Sequence, residues 1–432
     1  MSKDKKQIYK PKAISGFPEW LPEERLIEQQ WLDHIRRVFE SYGYTSIETP
    51  AAEEIDVLTA KGETDKEIYT LTRLQADDSD KREARIGLHF DQTVPLARYT
   101  AMHFNELDFP FKRYAMQKVW RGERPQLGRM REFYQCDIDV IHVDHLPLHF
   151  DAEMPAVIYE ALSALDIGRI QIKISNRKIL LGLLDAMGVE DTIPVTRTVD
   201  KLDKLGPEEV TKLLMNDCGL SKDHCEKILH LTTVSGVADI RAITPDNDQM
   251  KEGIEELAFV LDQLSHLPEG VIKADLSIVR GLDYYTGTVY ETRLLDIPEF
   301  TSSVCSGGRY DDLAGSYINK HLPGVGISIG FTRLFDVLRH HGYIKAHKKC
   351  PTDVLVILPD EDMRAETAKV AQALRAGGHN VEVYHAPQKI GKQIAYAEKK
   401  GIGYVWFPDL GEVKNLASGT QEKANATTWK AK

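Results

Sequence analysis

No stretch of this chain reaches about 18 consecutive apolar residues, so none of it reads as a membrane-spanning helix. The opening "MSKDKKQIYKPK" is basic but has no apolar segment behind it, and reads as a tail, not an export signal. Cysteine is scarce: five residues, at 136, 218, 225, 305 and 350, with no Cys-x-x-Cys pair. An odd, scattered set argues against a disulfide framework or zinc site and for reduced thiols in a cytoplasm. There is no P-loop, no G-x-G-x-x-G after a strand and no H-E-x-x-H. His142, His145 and His149 crowd together, but without an acid at ligand spacing, so no protein-held metal is expected. Basic residues, 55 in all, are outnumbered by 66 acidic ones. The net charge of −11 disfavours a surface that binds polyanions generally.

What is present is a chain of 432 residues, 42% hydrophobic and 28% charged, enough for two to four packed domains. The positive charge has one dense strip. Between Lys112 and Arg131 lie seven Lys or Arg residues and one acid, Glu123, interleaved with Tyr114 and Trp120 and followed by Phe133. Such a strip in an acidic chain points to a confined phosphate site.

Pro22, Glu23 and Glu24 open a helix whose apolar positions, Ile27, Trp31, Ile35, Val38 and Phe39, recur at helical spacing up to Gly43. A short strand, "TSIETP", follows. Residues 84–143 read mainly as strands with loops, with one short helix after Pro95. "DAEMPAVIYEALSALDIG" is a helix stopped by Gly168, and "RIQIKIS" alternates as a strand. Residues 191–264 are helical and rich in Lys and Asp, and read as an insertion between two strand-rich regions. "PGVGISIGFTRLFDVLRHHG" turns from strand to helix. Beyond a charged linker at 342–352, strands in "VLVILP", "NVEVYH" and "GYVWFP" alternate with helices near 362–376 and 389–400, a small α/β domain.

Near residue 280, "DLSIVRGLDYYTGTVYE" reads as one strand turning back into another. A bend that only had to turn would be served by Asn-Gly. This one carries Arg280, Asp283, Tyr284 and Tyr285, which implies a site. Arg121 in "WRGERPQLGRMREFYQCDIDV" and Arg333 in "GFTRLF" occupy similar polar strand-and-turn contexts. Guanidinium groups match phosphate bidentately and stay charged when desolvated. Three of them converging on one sheet would form a nucleotide site without a P-loop.

These stretches resemble a known family. "FKRYAMQKVWRGERPQLGRMREFYQCDIDV" is similar to motif 2 of class II aminoacyl-tRNA synthetases, "GVGISIGFTRLF" to motif 3, and the helix and strand ending at Pro50 to motif 1. "VRGLDYYTGTVYE" and "SGGRYDDL" resemble the two signatures of histidyl-tRNA synthetases. The likeness runs from about Phe17 to the C-terminus. It implies an antiparallel sheet of six or more strands flanked by helices, an inserted helical domain and a C-terminal α/β anticodon-binding domain. The implied domains are a tail at 1–16, catalytic parts at 17–190 and 265–341, the insertion at 191–264, a linker at 342–352 and the anticodon domain at 353–432. A cytoplasmic homodimer acting on ATP, Mg²⁺, L-histidine and histidine tRNA is expected.

The resemblance also implies roles. Arg121 binds the α-phosphate of ATP, Glu123 the adenine edge, and Arg129 the outer phosphates. Phe133 stacks on the adenine, with Arg333 on the opposite face. Arg280 is the catalytic cation beside the α-phosphate. Asp91 and Thr93, with Gln135, hold the α-ammonium of histidine. Asp139 and Tyr285 bracket the imidazole nitrogens, Tyr310 lines the same pocket, and Gly307 and Gly308 let the backbone approach. Neighbours on a strand face opposite ways, so of Tyr284 and Tyr285 the second is expected to touch histidine. Arg124 and Gln126 meet the tRNA acceptor end. Two departures stand out: Thr332 replaces a usual glutamate, and Asp91 and Asp139 stand where many bacterial members carry glutamate, so the chain resembles the eukaryote-like branch. The alternative is a non-catalytic relative, such as a histidine-sensing regulatory subunit, which typically lacks the anticodon domain and the catalytic arginines.

Overall fold

The structure is a computed structural model that describes residues 9–60, 67–74, 85–278, 285–312, 314–315 and 317–431. The chain divides into two compact units, one of Met1–Pro18 and His34–Tyr343, the other of Glu19–Asp33 and Ile344–Lys432.

The first unit carries strands β1 (Thr45–Ser46), β2 (Ala52–Glu54), β3 (Ile86–Leu88), β4 (Phe111–Trp120), β5 (Glu132–Ile141), β6 (Ile170–Asn176), β7 (Ile272–Ala274), β8 (Thr288–Leu294), β9 (Cys305–Tyr310) and β10 (Gly324–Ile329). Eight of them form one sheet in the order β1-β4-β5-β10-β9-β8-β6-β7. The inner strands, β4 to β6 in that order, are antiparallel. Parallel pairs, β1 with β4 and β6 with β7, form the two edges. β2 and β3 pair separately.

The helices of the chain up to Tyr343 are α1 (Pro22–Ser41), α2 (Ile55–Leu58), α3 (Thr93–Met102), α4 (His149–Ser163), α5 (Arg177–Ala186), α6 (Thr192–Val199), α7 (Leu202–Asn216), α8 (Lys222–Thr232), α9 (Val237–Ala242), α10 (Asp248–Gln263) and α11 (Phe331–His340). In α11, Phe331, Leu334, Phe335 and Leu338 fall at i, i+3, i+4 and i+7 and are all buried, which sets the face it turns to the sheet. α4 lies against β10 and β6, and α11 against β5. One face of the sheet is therefore covered, and the other is open to a ligand.

The reading of 275–290 as two strands joined by a tight turn needs correction. β6 lies between β7 and β8, so the two are not neighbours. Asp275–Val279 has the alternation of a strand, but the Asp275 carboxylate accepts from Ser277 N at 3.1 Å and Ser277 Oγ at 2.5 Å, making a turn. Residues 279–284, with Arg280 and Tyr284 among them, lie outside the described residues.

The second unit has a mixed sheet of β11 (Val354–Val356), β12 (Val381–Val383), β13 (Tyr404–Phe407), β14 (Glu412–Asn415) and β15 (Gln421–Lys423), with α12 (Arg364–Ala376) and α13 (Ile390–Lys400). β12, β11 and β13 are parallel, and β13, β14 and β15 antiparallel. β14 and β15 were not anticipated, because "GEVKN" and "TQEK" are short and polar. Gln393 of α13 exchanges two hydrogen bonds with the backbone of Leu358, at 2.9 and 2.8 Å.

One buried ion pair fixes the open sheet to its covered side. Asp151 of α4 is 0% exposed and accepts from Arg309 of β9 at 3.0 Å (Nε) and 2.5 Å (NH2), while its carbonyl accepts from Tyr290 of β8 at 2.8 Å. Removing one partner strands a buried charge, which costs more than removing both. Asp151→Asn is expected to lower stability by about 3 kcal/mol, and the double change Asp151→Asn with Arg309→Met by less, in urea unfolding midpoints. Equal losses would show that the pair does not hold the two layers together.

Candidate functional site

The strand register writes the site as rows across the open face. One row is Arg113, Asp139, Gly326, Gly308 and Val289; the next is Ala115, Asp137, Ser328, Ser306 and Glu291. Along β5, Phe133, Gln135, Asp137 and Asp139 alternate with covered residues and so share this face. Two cavities open on it, and Ser328 lines both.

The first, of about 580 Å³, is lined by Arg121, Glu123, Arg129, Phe133, Gln135 and Arg333 with residues at the near ends of β9 and β10. Arg121 donates through Nε to Phe90 O at 3.0 Å and sits 5.3 Å above the Phe133 ring. Arg129 pairs with Glu123 at 3.1 Å. Arg333 donates to Gly128 O at 2.8 Å and Ser303 O at 2.9 Å. Burial, then the charges of Arg121 and Arg129, hold the Arg333 guanidinium below its ordinary pKa. Three cations that repel one another in a cleft are an anion site.

The loop between β4 and β5 is latched onto α11. Gly128 turns at φ +68°, and its N–H reaches Asp336 at 3.1 Å. A side chain at 128 would meet Phe300 and Val337 at 3.0 Å. Arg124 and Gln126 are exposed on this loop. Thr332, which replaces the usual glutamate, is buried and accepts from Tyr134 N at 2.8 Å, tying β5 to α11.

The second cavity, of about 230 Å³, is lined by Thr93, Asp137, Asp139, Tyr285, Tyr310 and the β10 backbone. Glycine makes the room. A Cβ on Gly326 would lie 2.0 Å from Asp139 Oδ1, and one on Gly308 2.9 Å from the Tyr285 ring. Asp139 is held by Arg113 at 2.6 Å and by the Tyr310 hydroxyl, which donates at 3.1 Å. Asp91 caps α3 by accepting from Val94 N at 3.1 Å. Gln135 Nε2 donates to Ser328 Oγ at 3.1 Å.

The charges here are unbalanced. Asp91, Asp137 and Asp139 are all buried, with one buried guanidinium, Arg113, 1% exposed. Burial pushes Asp137 up to about 7, against the pull of Arg113 and a hydrogen bond from Ser328. Burial likewise raises Asp139 to about 6, opposed by Arg113 and Tyr310. Asp91 is raised by burial too, with the Val94 N–H and Arg121 opposing. Asp91 Oδ2, Asp137 Oδ1 and Gln135 Oε1 are buried acceptors with no hydrogen-bond partner. An unpaired buried polar atom costs about 1–3 kcal/mol, so the site is built to receive donors.

The structure thus brings Arg121, Glu123, Arg129, Phe133, Gln135 and Arg333 together, and Thr93, Asp139, Tyr285 and Tyr310 beside them. Arg280 and Tyr284 lie outside the described residues. The basic strip does not act as one field: Lys112 pairs with Glu153, Lys118 with Glu132 and Arg113 with Asp139. Sequence reasoning passed over Arg113 and Asp137. The period-two set from Phe133 to Asp139 could have flagged Asp137; nothing local marks Arg113, whose role comes from its cross-strand partner.

The family model for histidyl-tRNA synthetase matches residues 16–334, and that for an anticodon binding domain matches residues 353–422. The chain is 54% identical to the histidine–tRNA ligase of Thermobifida fusca over 98% of this chain and 99% of that one. The crystal structure of histidyl-tRNA synthetase from Nostoc sp. PCC 7120 superposes with a TM-score of 0.88 at 38% identity, covering 97% of this chain and 98% of that one. A structure from Bacillus halodurans C, titled as an ATP phosphoribosyltransferase regulatory subunit/histidyl-tRNA synthetase, shares the fold at a TM-score of 0.74 and 21% identity, over 93% of this chain and 99% of that one.

A raised carboxyl pKa gives a definite pH signature. From about pH 4 to about 7 the folded protein keeps the Asp137 proton that the unfolded chain has lost, so this group's contribution to stability falls as pH rises. Asp137→Asn removes that loss. The ligand-free variant is expected to gain on the order of 2 kcal/mol over wild type at pH 7.5 and to lose that advantage progressively as pH falls to about 4, read from thermal unfolding. Parallel pH profiles would show that Asp137 ionises normally.

Proposed function

This chain belongs to the histidyl-tRNA synthetase family, and from that premise we propose how its two cavities divide the reaction. As a histidine–tRNA ligase it activates histidine with ATP, then transfers it to the 3′ end of histidine tRNA. In activation, a histidine carboxylate oxygen bonds to the α-phosphorus, the bond to the bridging oxygen breaks, and pyrophosphate leaves.

The arginine-lined cavity is the ATP site in this reading. Arg121 faces the α-phosphate, and Arg129 and Arg333 the outer phosphates. Phe133 and Arg333 sandwich the adenine, and Glu123 meets its edge. The observation that carries the reading is the grouping of Arg121, Arg129 and Arg333 around one cleft that shares Ser328 with an acidic pocket. The acidic pocket takes histidine, with Asp91, Thr93 and Gln135 at the ammonium and Asp139, Tyr285 and Tyr310 around the imidazole. An imidazole offers one donor and one acceptor, and a pocket that pairs both leaves polar groups stranded under any other side chain. Arg280 is assigned as the catalytic cation from its place in "VRGLDYY" alone, with Tyr284 beside it. Fixed cations stabilise the charge that develops on phosphate, so no protein nucleophile is needed.

Mg²⁺ would enter with ATP. Its ligands would come from the phosphates and water as much as from the protein. Arg124 and Gln126 would meet the acceptor end of the tRNA, and the unit at 353–432 its anticodon. The domain limits read from the sequence, a cytoplasmic location and a homodimer paired through the motif 1 region complete the proposal.

Histidine-dependent ATP–pyrophosphate exchange tests it. Arg121→Ala and Arg280→Ala are each expected to lower kcat about 10²–10³-fold while histidine binding changes only a few-fold. Wild-type exchange in Arg280→Ala would remove that residue from the chemistry. Gly326→Ala is expected to raise the KM for histidine about tenfold or more and leave that for ATP within twofold; a matched rise in both would mean a general loss of structure.

A further inference from the structure

We infer that Asp137 is a specificity residue, accepting one of the three N–H donors of the histidine α-ammonium while Asp91 and Gln135 accept the other two. This rests on the acidic pocket being the amino-acid site. Asp137 lines that pocket from β5, is 4% exposed, and its Oδ1 has no partner. Its near neighbour Asp139 is already engaged by Arg113 and Tyr310, so the two carboxylates are not equivalent.

Ser328 sets the direction of the neighbouring groups. Its hydroxyl accepts from Gln135 Nε2–H at 3.1 Å and donates its own O–H towards Asp137. Gln135 therefore keeps its carbonyl oxygen, Oε1, as the unpaired atom, and that oxygen is an acceptor. With Asp91 Oδ2 and Asp137 Oδ1 it makes three buried acceptors of negative or partial negative charge. A primary ammonium brings three donors and one positive charge; a carboxylate, a phosphate or an uncharged alcohol brings neither.

The charges facing Asp137 are Arg113 from β4, Asp139 on its own strand and Asp91 before α3; Cys305 on β9 is the further titratable group that feels it. With Arg121 also acting on Asp91, three acids face two cations, which leaves room for one more positive charge. When the ammonium enters, the Asp137 proton leaves to solvent, so amine binding and proton release are coupled. A non-ionised group at this position would bind the imidazole end as well but lose its preference for an amine.

The test compares two ligands on the full chain by calorimetry at pH 7.5. Histidinol carries the ammonium and the imidazole; 3-(imidazol-4-yl)propan-1-ol lacks only the ammonium. Wild type is expected to prefer histidinol about 100-fold, and Asp137→Asn about 10-fold, the change lying in histidinol alone. Equal weakening of both ligands, or an unchanged ratio, overturns the inference, the first because it marks a packing role. For histidinol itself, titrations at pH 6.5 in buffers of different ionisation enthalpy should show more proton release by wild type than by the Asp137→Asn variant. Equal release also overturns it. A wild type that supports histidine-dependent exchange but whose Asp137→Asn variant keeps the preference refutes only this step. A wild type that neither binds histidinol nor shows exchange refutes the pocket assignment beneath it.

Discussion

Arg113 and Asp139 meet across β4 and β5 at 2.6 Å, both almost without solvent, and the acidic pocket depends on that contact. A lone carboxylate at this depth would give up its charge or its position. The guanidinium keeps Asp139 in place and draws its pKa back towards the carboxylate range, though burial still holds it at about 6. The pair cannot be accommodated by packing alone. It needs the glycine row, because any side chain at 326 would occupy the space of the Asp139 carboxylate.

The same economy governs the rest of the open face. Many of the site's side chains stand on strands or helices or directly beside them, and several are fixed by a second contact. Arg121 leans on Phe90 O, Tyr310 on Asp139, and Gln135 on Ser328. The loop carrying Arg129 is the exception, and Asp336 and Arg333 pin it at Gly128. Beneath this layer the Asp151–Arg309 pair joins β9 to α4, so the geometry above rests on a tied sheet.

Electrostatically the site has two halves of opposite sign that meet at Gln135 and Ser328. A cluster of guanidinium groups favours the polyphosphate of ATP, and a cluster of carboxylates favours an ammonium. Histidine and ATP must react through two anionic groups, a carboxylate and a phosphate, which repel in water. Anchoring each substrate by its own complementary end lets the anionic ends be brought together by binding energy spent elsewhere. In the proposed reading that is why an enzyme with no nucleophile can still catalyse the step.

The sequence by itself determined the inventory and much of the local structure. Motif-bearing stretches named Arg121, Phe133, Gln135, Asp139, Tyr310 and Arg333, and the helical period of α11 and the alternation of β5 were visible because they depend on near neighbours in the chain. What only the tertiary structure decided was pairing between strands. The alternation of Asp275–Val279 was legible and misleading, since β6, not β8, adjoins β7 and an aspartate turn ends the strand. Arg113 looked like part of a phosphate-binding strip until register set it opposite Asp139. Asp137 was one polar residue among several until burial and the direction of Ser328 left its oxygen unpaired. Periodicity is a local property of the chain; which charge is buried against which is fixed by contacts between residues far apart in sequence, and that is where the pocket acquires its chemistry.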